Sequence, residues 1–293
     1  MFEKLKANIL FHQLLKRPNI DNAYKMVGPE DSWYDTITKV HNSLSEIEKL
    51  PREELQMTSH DGLHLQAIYY PGDGDKTVIW VHGYTSHAER ESAFPGLFYH
   101  SLGFNVLIPY LRAHGSSEGK YISLGPLECI DMMGWVEEIN KRHPSGQILI
   151  HGLSMGGGIV LDLACKEMKN VKALIADAPS DKVDSIFYHV AGSVFKKDRD
   201  KVFACCCQRF QKEFGVEPAK FDRVKNIVQG RYPLLLSAGS EEHLESTLSA
   251  IKEGNPAETT VLILPGCNHG NGMYKQTELY QSTIRDFIAQ NFT

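Results

Sequence analysis

The run Ile148-Leu149-Ile150-His151-Gly152-Leu153-Ser154-Met155-Gly156-Gly157-Gly158 constrains this chain more than any other stretch. A short apolar segment enters Gly-Leu-Ser-Met-Gly, and small and apolar residues at helical spacing follow it (Ile159, Val160, Leu161, Leu163, Ala164). Strand, sharp turn and helix in that order are the context in which G-x-S-x-G becomes a nucleophile elbow. The turn forces the serine into strained backbone geometry, and the flanking glycines let neighbouring backbone come close. The Ser154 hydroxyl is then expected to project from a sheet edge, with a helix N-terminus beneath it. Without that context the pentapeptide reads as a Gly-rich turn carrying an incidental serine.

The surroundings repeat the pattern. Thr77-Val78-Ile79-Trp80-Val81 runs into His82-Gly83-Tyr84, and Phe104-Asn105-Val106-Leu107-Ile108 leads towards Arg112-Ala113-His114-Gly115. Val171 to Ala176, Pro233 to Ala238 and Thr260 to Leu264 read as further strands, while Leu55 to Pro71 reads as a hairpin turning at His60-Asp61-Gly62. Strands that are apolar throughout belong in a sheet covered on both faces. Helical patterns lie between them at about 86–101, 123–142, 157–169, 242–253 and 274–291. The expected fold class is therefore α/β, a mostly parallel central sheet flanked by helices. Asp181 to Arg231 is too long for an ordinary connection and has helical character, so 181–231 is expected to form a small helical cap over the C-terminal strand ends. Its Phe187, Tyr188, Phe195, Phe203 and Phe210 suggest an apolar pocket, although their spacing also suits core packing.

A length of 293 residues suits one large α/β domain with an appendage. Residues 51–293 are assigned to that domain and residues 1–50 to an N-terminal helical extension closed by Pro51. With 42% hydrophobic and 23% charged residues the chain reads as soluble and globular. A formal net charge of −5 with no basic stripe argues against a nucleic-acid partner. The six cysteines lack C-x-x-C spacing and three are consecutive (Cys205, Cys206, Cys207), so reduced thiols in the cytoplasm are expected. Phe2, Leu5, Ile9, Leu10, Phe11, Leu14 and Leu15 mark an amphipathic N-terminal helix too short and polar to span a bilayer. Docking on the main domain is its expected role, with attachment to a membrane surface or a partner as the alternative.

A serine hydroxyl needs a general base, and the base needs an orienting acid. On a serine elbow these follow in the chain order Ser, Asp/Glu, His. His269 lies in the loop Pro265-Gly266-Cys267-Asn268-His269-Gly270 beyond the strand Val261-Leu262-Ile263-Leu264, at the same sheet edge as Ser154, and fits the base. After the strand Leu234 to Ala238 comes Gly239-Ser240-Glu241-Glu242-His243, which makes Glu242 the first candidate acid. Glu241 and Asp177 are the alternatives, and acids at a helix start are common whatever their function. The backbone N–H groups of Met155 and of Tyr84 are the expected oxyanion donors. His82 and His151 precede glycines at strand ends and read as structural. None of the thirteen histidines stands in H-E-x-x-H or comparable ligand spacing, so neither a metal nor another cofactor is expected.

Taken together, Val81-His82-Gly83-Tyr84, Arg112-Ala113-His114-Gly115-Ser116-Ser117-Glu118-Gly119, Ile150 to Gly157, Ala176-Asp177-Ala178-Pro179 and Asn268-His269-Gly270 resemble an α/β-hydrolase. More narrowly, the chain resembles bacterial serine hydrolases related to prolyl-oligopeptidase-type aminopeptidases and small-acyl esterases. The resemblance runs over about 55–291 and implies Ser154, Glu242 and His269 as nucleophile, acid and base. The chain departs from the family pattern in having Glu rather than Asp at the acid position, Tyr110-Leu111 before Arg112, and Asn268-His269-Gly270 in the last loop. The expected activity is hydrolysis of a small-molecule carboxylic ester through an acyl-enzyme. A serine aminopeptidase, amidase or thioesterase would use the same groups. A catalytically silent binding protein on this fold is the alternative of another class.

Overall fold

The apolar runs become a twisted eight-stranded sheet in the computed structural model, which describes residues 2–292. The strands are β1 (Glu53–Thr58), β2 (His64–Tyr70), β3 (Lys76–Val81), β4 (Asn105–Pro109), β5 (Gln147–Leu153), β6 (Val171–Asp177), β7 (Leu234–Gly239) and β8 (Thr259–Leu264). Their order across the sheet is β1-β2-β4-β3-β5-β6-β7-β8. The β1/β2 and β2/β4 pairs are antiparallel, and every pair from β4/β3 to β7/β8 is parallel. The β1–β2 hairpin turns where Asp61-Gly62 meets the geometric demand: Gly62 has φ +88°, and the Ser59 hydroxyl donates to Asp61 at 2.6 Å.

Alternation along each strand feeds two separate cores. Ile79, Val81, Ile148, Ile150, Leu234 and Leu236 face one, whereas Val78, Trp80, Leu149 and Leu235 face the other. The first is closed by α4 (Pro126–Arg142), α5 (Met155–Ala164) and α9 (Glu245–Gly254), through residues such as Trp135, Ile159 and Leu248. The second is closed by α3 (Ala88–Ser101) and α11 (Thr277–Asn291), with the single turn α10 (Gly272–Lys275) before it. The helix after the elbow begins two residues earlier than its pattern suggests, directly at Met155, and stops at Ala164.

The insertion is helical, comprising α6 (Ser185–Phe195), α7 (Arg199–Phe214) and α8 (Arg223–Asn226). Two of its aromatic residues, Phe187 and Phe210, are fully buried, 5.8 Å apart between ring centroids, while Phe195 and Phe203 are partly buried and Tyr188 is exposed. The N-terminal extension contributes α1 (Phe2–Leu15) and α2 (Tyr34–Ile47), which sit on opposite faces of the sheet. Helix α1 packs along α7 and buries Ala7, Leu10, Phe11 and Leu15 in the first core. Helix α2 packs on α3 and buries Val40 and Ile47 in the second. Among the described residues no helix is long and apolar enough to cross a membrane.

Candidate active site

The chain leaves β3 for β4 on one side and returns to β5 on the other. The crevice beyond the C-terminal ends of β3 and β5 is therefore the switch point at which open α/β sheets bind ligands. Two loops meet there. Ser154 follows β5 with φ +59° and ψ −113°, a conformation that a non-glycine residue adopts only when its surroundings enforce it. They do so through close packing, because a Cβ on Gly156 would lie 1.9 Å from the Val81 carbonyl oxygen and one on Gly152 2.2 Å from that of Gly156. The Ser154 N–H donates to the Asp177 carbonyl at 2.8 Å, tying the turn to β6.

Three side chains from three strand ends then line up. His269 Nε2 lies 2.8 Å from Ser154 Oγ, and His269 Nδ1 lies 2.5 Å from Glu242 Oε2. Glu242 is not at the start of an α-helix. It closes a single 3₁₀ turn (Ser240–Glu242), from which Oε1 accepts the Gly239 N–H at 2.7 Å and Oε2 is left for the histidine. The hydrogen bond to Glu242 holds the His269 imidazole pKa above its usual value against the opposing effect of burial.

The other candidate acids lie elsewhere. Glu241 is 3.2 Å from the Ser240 hydroxyl. Asp177 is buried and accepts from Ser237 Oγ at 2.9 Å and Tyr280 Oη at 3.0 Å. Burial pushes its carboxyl pKa up to about 6. Tyr280 continues to His151, whose Nε2 is 3.1 Å from the Tyr280 oxygen and whose Nδ1 is 2.7 Å from Tyr99 Oη. Burial lowers the His151 pKa to about 3, so the ring is a neutral strut. His82 is likewise buried and neutral, donating from Nδ1 to the Gly83 carbonyl at 2.8 Å and accepting the Leu111 N–H at 3.2 Å.

Beside Ser154 runs the loop after β3, close enough that a Cβ on Gly83 would lie 3.6 Å from Ser154 Cβ. Glu91, buried at the start of α3, holds this loop. Both its oxygens lie 3.1 Å from the Gly83 nitrogen, and it also accepts from Trp80 Nε1 at 3.1 Å and Tyr24 Oη at 3.4 Å. Burial raises the Glu91 carboxyl pKa to about 7. Sequence reasoning missed Glu91, because an acid in the first turn of a helix ordinarily marks only the dipole.

A cavity of about 480 Å³ opens over Ser154 and His269. Its walls come from the β3 loop, Glu91, Leu153 and, from the N-terminal extension, Ala23, Tyr24, Trp33 and Ile37. None of the five cap aromatics lines it, so the pocket they suggested is not built from them. Their helical spacing serves packing instead. The triplet His60, Asp61 and Asp131 converges elsewhere, but Arg112 fills it, with Nε 2.7 Å from Asp131 and Nη1 2.9 Å from Asp61.

Residues 72–214 match the family described as serine aminopeptidase, S33. A Bacillus subtilis protein, YqkD, is 34% identical over 118 residues, which is 40% of this chain and 38% of YqkD. The chain thus spans well under half the length of that relative. Among solved structures, the Pyrococcus furiosus esterase Pf2001 superposes with a TM-score of 0.66 at 23% identity, covering 92% of this chain and 97% of that one. A Vibrio vulnificus α/β-hydrolase superposes with a TM-score of 0.63 at 19% identity, covering 97% and 93%. With the sheet order, these likenesses show that the chain has the α/β-hydrolase fold.

Proposed function

We propose that this protein is a serine hydrolase that cleaves carboxylic esters through an acyl-enzyme. The observation that carries this reading is the hydrogen-bonded chain Ser154–His269–Glu242 at the floor of an open cavity. Ser154 Oγ attacks the ester carbonyl carbon while its proton passes to His269 Nε2. Glu242 fixes the ring with Nδ1 protonated and stabilises the imidazolium that forms. The tetrahedral intermediate collapses, its C–O bond breaks, and the leaving alkoxide takes the proton from His269. Water then repeats the sequence on the acyl-serine and releases the acid.

The oxyanion forms between two main-chain donors. Met155 is the first residue of α5, so its N–H has no acceptor within the helix. The Gly83 N–H is taken by Glu91, and Tyr84 supplies the next N–H along the β3 loop. The esterase among the structural neighbours favours an ester, while the serine aminopeptidase family match keeps a peptide or amide bond as the second reading.

A fluorophosphonate probe tests the proposal. One label per chain is expected at Ser154, together with turnover of a short p-nitrophenyl ester. Ser154→Ala is expected to lose both, activity falling by about 10⁴-fold or more, with little change in melting temperature. Folded protein that takes no label and turns over no ester would overturn the assignment and favour a silent ligand-binding protein.

A further inference from the structure

Helices α1 and α2 lie on opposite faces of the sheet, so the chain between them has to cross one of its edges. It crosses at the C-terminal edge, over the candidate active site. Arg17 anchors the start of this strap, donating to the Ser117 carbonyl at 2.7 Å. Arg90 holds its middle through the Ala23 carbonyl at 2.7 Å, and His41 Nε2 lies 2.8 Å from the Tyr24 carbonyl oxygen. The Tyr24 hydroxyl reaches Glu91, which also holds the Gly83 N–H. The Tyr84 hydroxyl in turn donates to the Leu14 carbonyl at the end of α1. The β3 loop is therefore tied to the strap through Tyr24 and Glu91 and to the end of α1 through Tyr84.

Tyr24 has φ +56° and Thr85 in the facing loop φ +51°, so both cavity-lining segments hold left-handed backbone at non-glycine residues. Such strain persists only where the surroundings over-determine the conformation. The cavity behind the strap is mainly apolar, with Ala23, Tyr24, Trp33 and Ile37 set against Leu153 beside the nucleophile. Its volume of about 480 Å³ is that of a small-molecule site.

We propose that the strap, and not the helical cap, is the specificity element of this enzyme: Trp33, Tyr24 and Ala23 set how large an apolar substituent of the ester fits beside Ser154. This rests on the ester-hydrolase reading above. Apolar substituents are accepted up to the length at which they meet Trp33. A methylene gained or lost in such a pocket changes kcat/KM by roughly 10- to 200-fold.

The test compares wild type, Trp33→Ala and Ala23→Leu in the full-length chain. One arm is a p-nitrophenyl ester series from acetate to dodecanoate. The other is an acetate ester series with n-alkyl alcohols from ethanol to octanol. Fluorophosphonate labelling of Ser154 verifies that each variant is folded at the nucleophile. Trp33→Ala is expected to raise the long-to-short kcat/KM ratio by about tenfold or more, and Ala23→Leu to lower it. The arm in which the ratio moves identifies the acyl or the alcohol group as the occupant. The two variants shift in opposite directions, so loss of one to misfolding leaves the other decisive. Parallel profiles for all the folded proteins in both arms would overturn the assignment and leave the hydrolase reading standing. No label and no turnover in the wild type would instead remove the hydrolase reading and this assignment with it.

Discussion

Glu242 shows how much one side chain decides. Three carboxylates lie within reach of the last loop by chain position, and only Glu242 meets His269. Glutamate reaches from a 3₁₀ turn because its extra methylene lets one oxygen cap Gly239 while the other points outwards. Its hydrogen bond is the largest influence holding the His269 pKa above the ordinary histidine value. A general base works only when neutral, so kcat/KM is expected to fall as pH drops through that raised value. Glu242→Gln removes the cause. The acid limb of the pH–rate profile should move to lower pH, with a plateau roughly 10²–10⁴-fold lower. Asp177→Asn should move the limb less than Glu242→Gln does and act mainly on stability, since Asp177 spends both oxygens on Ser237 and Tyr280 and reaches His269 only through its charge. A limb that moved with Asp177 and not with Glu242 would reverse the two roles. Ser154 and His269 were legible because a motif and a strand-end position mark them. Glu91 was not, because its partners come from two separate segments, Trp80 and Gly83 from the end of β3 and its loop and Tyr24 from the N-terminal extension.

At the scale of elements, the strands were the legible part. Continuous apolar runs ending in glycine are the chain's own record of a sheet buried on both faces. The helices of the cap were legible as helices but not in their orientation. Which side of an amphipathic helix meets which neighbour is decided by packing, and here Phe187 and Phe210 turn towards α1 and the core. Arg223 at the start of α8 locks that orientation. Its guanidinium, 1% exposed, donates to Asp162 on α5 at 2.8 Å, to the Leu124 carbonyl at 2.9 Å and to Ser180 Oγ at 2.8 Å. Arg223→Ala strands a buried carboxylate that burial already pushes towards its neutral form. A loss of about 3–5 kcal/mol in denaturant unfolding is expected, and the double variant with Asp162→Asn should recover part of it. A single-variant loss under 1 kcal/mol would show that the cap is held by its apolar contacts alone.

For the molecule as a whole, the N-terminal extension matters most. Its sequence reads as helical with no core of its own, and that is the physical reason its two helices dock. Leu10 and Phe11 are buried against the first core, Phe11 beside Tyr121 and Phe214, and Val40 and Ile47 against the opposite face. Extension, cap and sheet are then expected to unfold together. Phe11, fully buried against Tyr121 and Phe214, should cost about 3–5 kcal/mol when changed to Ala. Trp135 and Trp80 lie in the two separate cores and report on them separately in variants that keep one of the three tryptophans, the others changed to Phe. Their fluorescence should shift to the same lower midpoint in Phe11→Ala. Separate midpoints would mean that the extension and the second core are not one cooperative unit. By itself the sequence determined what is local: the elbow, the apolar strands, the order Ser–acid–His, and so the fold class. Each depends on residues adjacent in the chain or on a strand's own periodicity. The tertiary structure alone decided which acid meets His269, which way the cap aromatics face, and that a strap from the N-terminus walls the cavity. Those are contacts between segments far apart in the chain, and no spacing within any one of them encodes its partner.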